Sequence, residues 1–209
     1  MPRPPDPTKR RQLLEQIHDY VVRNGLSGLS LRPLAAELGT SDRMLLYYFG
    51  TKDRLVAEVL ALDDRRPLVR VRNRLDAAGP PRDAAGARRL MEEVWQLLTA
   101  PDVRASFPML IEVMADSLFH PERYGPVMRD TIAQWTDVLT STLLGTGMPE
   151  DRARSHATLL VGAAFGLQLA PLTNGHWDQA AEAYRDLLDR LEPAWGATDG
   201  TRDTRDDPR

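Results

Sequence analysis

The chain has 209 residues, 42% of them hydrophobic and 27% charged, which is ordinary for a globular protein. It has no cysteine, which excludes disulfides, thiolate zinc sites and cysteine nucleophiles. The formal net charge of −3 is unevenly spread: residues 1–55 hold nine Lys or Arg against six Asp or Glu, and the remainder holds eighteen against twenty-four. A basic head on an acidic body concentrates attraction for phosphate in the head.

Residues 1–8 contain four prolines and predict a disordered arm. The start lacks the apolar core of a secretory signal, and the longest wholly apolar-or-Gly run, Leu159 to Leu167, is too short to span a bilayer. A soluble cytoplasmic protein that engages no membrane is the expectation. Lys9, Arg10 and Arg11 follow, placed either to touch phosphate or a minor groove or simply to be solvated. Leu13, Leu14, Ile17 and Val21 mark one face of a first helix ending near Asn24-Gly25.

Ser30 is a candidate N-cap for the next helix, and Pro33 falls in its first turn, where a missing N–H costs little. Leu31, Leu34, Ala35 and Leu38 recur at helical spacing, and Gly39 suits a left-handed residue after the helix. Ser41 then caps a second short helix. Two short helices around a glycine-bearing turn form the helix-turn-helix pattern. On the second, Leu45 and Phe49 share the inward face, while Arg43, Met44 and Tyr47 point outward with Leu46 and Tyr48 on the borders. Arg forks to guanine, Met touches a thymine methyl, and tyrosine hydroxyls reach phosphates. From Lys52 a further helix carries Leu55, Val56, Val59, Leu60 and Leu62, with Pro67 read as its kink or end.

Leu34-Ala35 through Leu38-Gly39-Thr40-Ser41, then Leu45, Tyr48-Phe49, Lys52-Asp53 and Leu55, resembles the DNA-binding domain of the TetR family of transcriptional regulators. The likeness covers roughly residues 10–56. It implies that the second short helix enters the major groove and that Lys52 binds backbone phosphate. The family's phosphate-binding Tyr is absent at Leu46, with Tyr47 its neighbour, and Pro33 stands where many members have a polar first turn. The DNA-contacting set is Arg32, Ser41, Asp42, Arg43, Met44, Tyr47, Tyr48 and Lys52.

Beyond Gly79-Pro80-Pro81, helices are predicted at about 83–99, 102–118, 122–144, 149–170 and 177–192, with Pro108 a possible break. No alternating β-branched runs appear, so the fold class is all-α. The domains expected are residues 9–56 for DNA and 57–192 for effector binding and dimerisation, followed by a disordered tail at 193–209. Gly162, Gly166 and Ala170 fall at i, i+4 and i+8, and each Gly costs about 1 kcal/mol in a helix interior. Close helix–helix approach, within one subunit or between two, is the usual reason. The resemblance implies a homodimer built on the last two long helices, with Leu159, Leu187, Leu188 and Leu191 as further interface candidates. Trp95, Phe107, Met114, Phe119, Met128, Trp135 and Phe165 either fill cores or line an apolar effector site, with Glu112, Asp116, His120 and Gln134 as its polar groups.

The four histidines are scattered, no His-Glu-x-x-His occurs, and Ser27 lacks the spacing of a nucleophile elbow. No enzyme, metal or cofactor is expected. The reading is a dimeric repressor released from a palindromic operator by a small-molecule effector. Two alternatives stay open: a helical small-molecule carrier with a degenerate head, and a DNA-binding regulator without an effector.

Overall fold

The structure is a computed structural model that describes residues 6–62 and 67–196. Its helices are α1 (Pro7–Asn24), α2 (Leu31–Glu37), α3 (Asp42–Phe49), α4 (Lys52–Leu60), α5 (Pro67–Ala78), α6 (Ala84–Leu98), α7 (Pro101–Phe119), α8 (Gly125–Leu144), α9 (Glu150–Asn174) and α10 (Trp177–Leu191). A 3₁₀ turn, Glu192–Ala194, follows, and no strand occurs among the described residues.

Several boundaries differ from the sequence reading for identifiable reasons. Helix α1 begins at Pro7, inside the span 1–8 expected to be disordered, because the Asp6 carboxylate accepts from the Thr8 N–H at 2.9 Å and Pro7 takes the first helical position. Residues 1–5 lie outside the described residues, as do 197–209 of the expected tail. Pro67 opens α5, a helix the sequence reading omitted, and does not bend α4, which already ends at Leu60. Pro108 leaves α7 unbroken. Pro171 likewise sits inside α9, which continues to Gly175, whose φ of 75° makes the left-handed stop.

Contacts group the residues into two units. The first holds α1 to α4, α7 and residues 125–131 of α8; the second holds α6, α9, α10 and residues 132–144 of α8, with α5 divided at residue 69. In the first unit Ile17 and Val21 of α1, Leu34 of α2, Leu45 and Phe49 of α3, and Leu55, Val56 and Val59 of α4 form one buried cluster. Met109 and Val113 of α7 and Met128 of α8 join it, so the helix-turn-helix shares its core with helices far along the chain. These side chains are removed from water together, at about 25 cal/mol per Å² of apolar surface.

In the second unit α6 buries Ala87, Leu90, Met91, Val94 and Trp95, and α10 buries Ala180, Tyr184 and Leu188. Trp95 stacks on Tyr184 with ring centroids 4.6 Å apart. Arg88 of α6 ties this pair down by bonding Glu92 at 3.0 Å, Asp189 at 2.5 Å and Glu192 at 2.9 Å. One face of α9, including Ala153, Ala157, Leu160 and Ala164, is buried in the unit.

Candidate nucleic-acid interface

Capping residues fix α3 at both ends. Ser41 Oγ accepts from the Met44 N–H at 3.2 Å, and Gly50 (φ 79°) ends the helix after Phe49. Gly39 (φ 62°) makes the bend between α2 and α3. Thr51 Oγ1 then accepts from the Arg54 N–H at 3.1 Å and starts α4, which puts Lys52 at its first position. With Leu45 and Phe49 fully buried, the opposite face of α3 must meet solvent.

That outer face carries Arg43, Leu46 and Tyr47, with Met44 and Tyr48 half-buried at its edges. Leu46 is 43% exposed and Tyr47 45% exposed. Sequence periodicity put Leu46 on a border; its exposure adds an apolar contact to the face. Tyr48 packs its ring beside Phe49, 6.3 Å between centroids, and meets Tyr47 edge-on at 5.4 Å. Lys52 and Arg32 are exposed nearby. Asp42 is engaged locally: it accepts from the Arg43 N–H at 2.8 Å and lies 4.0 Å from Arg32. All eight nominated residues therefore sit on the helix-turn-helix or the start of α4.

Arg10 has a different place from the one its position beside Lys9 suggested. It lies inside α1, pairs with Glu58 of α4, bonds the Tyr48 carbonyl at 3.3 Å and stands 5.2 Å over the Phe49 ring. Arg10 is thus a strut behind α3. Arg11 pairs with Glu15 at 3.1 Å, while Lys9 stays exposed.

Support from later in the chain was invisible in the sequence. Arg123 lies 4.0 Å from Asp53 and 3.7 Å from Asp116. Burial, then the charges of Asp53 and Asp116, push the Tyr124 phenol up to about 12. Glu112 of α7 accepts from the backbone N–H groups of Leu26 and Ser27. Only the glycine at 25 hinted that something closely approaches that turn.

The residues nominated for an effector divide between the units. Phe107 and Met128 are buried in the first and Met114 packs on its core, whereas Phe119 is 79% exposed at the end of α7. Trp95 and Trp135 are buried in the second unit and Phe165 is half-buried there. A cleft of about 390 Å³ in the second unit is lined by Arg72, Leu75, Asp76, Pro80, Asp137, Val138, Ser141 and Thr142, none of them a nominated residue.

The nominated interface residues on α9 form an exposed stripe. Leu159 is 48% and Leu169 50% exposed, with Gly162, Gly166 and Ala170 exposed between and beside them. A Cβ built on Gly162 or Gly166 would meet no atom within 4 Å, so packing within the chain does not require either glycine. Leu188 is a correction: it is wholly buried in its own unit, because α10 turns Ala180, Tyr184 and Leu188 inward. Leu187 and Leu191 are half-buried.

Residues 13–59 match the family model described as bacterial regulatory proteins, tetR family. No curated protein matches the chain in sequence. Among solved structures, a transcriptional regulator from Rhodococcus sp. Rha1 superposes with a TM-score of 0.72 at 19% identity, covering 90% of this chain and 98% of that one. A putative transcriptional regulator from Saccharomonospora viridis, in complex with choline, gives 0.71 at 23% identity over 89% and 96%. The multidrug binding protein EbrR, complexed with imidazole, gives 0.62 at 26% identity over 91% and 93%. Residues 13–59, which hold the capped helix-turn-helix, thus form an N-terminal domain of the tetR family of bacterial regulatory proteins, and the chain as a whole shares the all-helical fold of solved transcriptional regulators.

Proposed function

We propose that the protein is a homodimeric repressor, acting in the cytoplasm, that leaves a palindromic operator when a small-molecule effector binds. The exposed face of α3, with Arg43, Met44, Leu46 and Tyr47 above buried Leu45 and Phe49, carries this reading. A helix with that face suits a major groove, where Arg43 forks to guanine and Met44 and Leu46 meet thymine methyls. Ser41, Tyr48, Lys52 and Arg32 hold the phosphates on either side. Residues 9–56 form the DNA-binding part and 57–192 the sensing and dimerising part.

The α9 stripe supports the dimer. By length and composition α9 also passes for a membrane-crossing helix, a third of it buried. A second copy of α9 covers the same apolar face, and two-fold pairing sets two reading helices about one helical turn of DNA apart. Effector chemistry is open to a small organic molecule, as in the choline and imidazole complexes of two similar structures. The effector acts through its differential affinity for the states in which the two heads match or miss the operator spacing.

The test is selection of bound duplexes from a random pool, followed by affinity against salt for the winner and for a scrambled duplex. A palindromic winner preferred by about 10³-fold or more is expected. Weak binding indifferent to sequence overturns the regulator reading and favours the carrier with a degenerate head, which the absence of Tyr at position 46 would then explain.

A further inference from the structure

The turn between α1 and α2 is held by a residue outside the segment that the family model matches. Oε2 of Glu112, on α7, accepts from the backbone N–H of Leu26 and from that of Ser27, each at 2.7 Å. Successive amides aimed at one carboxylate oxygen make an anion-binding nest, and the charge on the acceptor strengthens both bonds. Gly25 completes the arrangement. Its φ is +74°, and a Cβ there would lie 2.7 Å from Glu112 Oε1, so no side chain fits while the carboxylate is in place. Behind Glu112, Met109 and Val113 anchor α7 in the buried cluster that also holds Ile17, Leu34 and Leu45.

The geometry limits what else Glu112 does. Its Oε2 already carries two short bonds, which leaves Oε1 as the oxygen open to any further donor. Neither donor is a capping position, since Asn24 ends α1 and α2 starts only at Leu31. The clamped residues lead directly into buried Leu29 and then Ser30, where α2 begins.

We infer that Glu112 is a positioning residue for DNA reading: by clamping residues 26 and 27 it sets how the chain enters α2 and, through the α2–α3 turn, where α3 points. This rests on the helix-turn-helix being the DNA-reading surface. Both bonds converge on one oxygen, so a slide of α7 by one residue's rise, about 1.5 Å, releases them together. The clamp is a mechanical link between α7 and the reading helix.

The experiment compares the full-length protein with Glu112→Ala, Glu112→Asp and Glu112→Gln on the duplex selected by the wild type and on a scrambled duplex. Hydrogen exchange of the Leu26 and Ser27 amides is followed in parallel. Glu112→Ala removes the acceptor, and Glu112→Asp withdraws it by one methylene; both should lower the preference for the selected duplex roughly tenfold while leaving the scrambled one within about twofold. Glu112→Gln keeps an oxygen that accepts both N–H groups and should recover most of the preference. The two amides should exchange faster in the Ala and Asp variants. Wild-type preference in Glu112→Asp overturns the inference, and so does a Gln variant as impaired as Ala. Should Glu112→Ala fail to fold, the Asp and Gln pair decides. If the wild type selects no duplex, DNA reading itself fails, and the exchange rates alone then support or overturn the clamp.

Discussion

Helices α3 and α9 each bury one face in their own unit and turn the other to solvent, but the two outer faces differ in kind. α3 shows Arg43, Leu46 and Tyr47 beside Lys52, whereas α9 shows Leu159, Gly162, Gly166, Leu169 and Ala170. A polyanion with apolar methyls in its groove complements the first face; only another apolar surface at close range complements the second. The lengths agree with this division. On the proposed function, the eight residues of α3 suffice to enter a groove, while the twenty-five of α9 would supply a long seam. An outer face therefore carries information about its partner through chemistry and length, and exposure alone carries little.

The sharpest way to break the comparison is to fill the α9 stripe. A Cβ at position 166 points into open space, and Leu is the better helix former, so the Gly166→Leu monomer should fold as before. At a two-fold interface the added bulk acts twice. With overpacking near 1–3 kcal/mol per site, the dimer dissociation constant should rise about a hundredfold in sedimentation equilibrium. An unchanged dimer would remove α9 from the interface.

A smaller effect is expected on α3. Arg43→Ala should cost about 1–3 kcal/mol of preference between the selected and scrambled duplexes, with dimerisation untouched. Lys52→Ala, one turn beyond, should weaken both duplexes alike and reduce the salt slope by about one. If these two variants lose specific and non-specific binding in the same ratio, the division of α3 and α4 into reading and holding surfaces is wrong.

The least effect concerns the support beneath the reading face. The Tyr124 phenol is held up to about 12 from an ordinary value of 10, so the native state keeps its proton where the unfolded state loses it. The stability this contributes is intact below pH 10 and declines as pH rises from 10 towards 12. Thermal unfolding across that window should fall less steeply in Tyr124→Phe than in the wild type. An identical slope would mean that Tyr124 does not couple to folding.

The elements of the first unit were legible because their signals are local. Gly39 and Ser41 each act within a few residues, and the structure starts α3 at Asp42 and α4 at Lys52, where the sequence reading put them, with Gly50 and Thr51 as further local caps it did not use. Proline was the weak signal. Proline opens α1 and α5, where a missing N–H costs no bond, yet it also ends nothing at Pro108 and sits inside α9 at Pro171. Leu68, Val71 and Leu75 have helical spacing in α5, but reading Pro67 as an end concealed it.

Residue by residue, the nominated DNA-reading set lies together on one short stretch, since a helix period converts sequence order directly into a face. The aromatic and methionine residues of the body do not behave so: Met128 and Met114 serve the first unit's core, Trp95 stacks on Tyr184, and Phe119 stands in solvent. Apolar bulk is common to cores and ligand sites, and composition does not separate them.

The sequence by itself determined the all-helical class, the Ser41 cap and the Gly39 turn of the helix-turn-helix, and which side chains of α3 point away from its core, whereas the Ser30 hydroxyl makes no capping bond to α2. These follow from hydrogen bonds and periodicities that span a few residues. Only the tertiary structure decided that Arg10 braces α3 from behind, that Leu188 is spent inside its own unit, and that Glu112 grips a turn 85 and 86 residues away. Each of those outcomes joins a side chain to atoms of distant helices or turns, and such pairings exist only once the helices have packed.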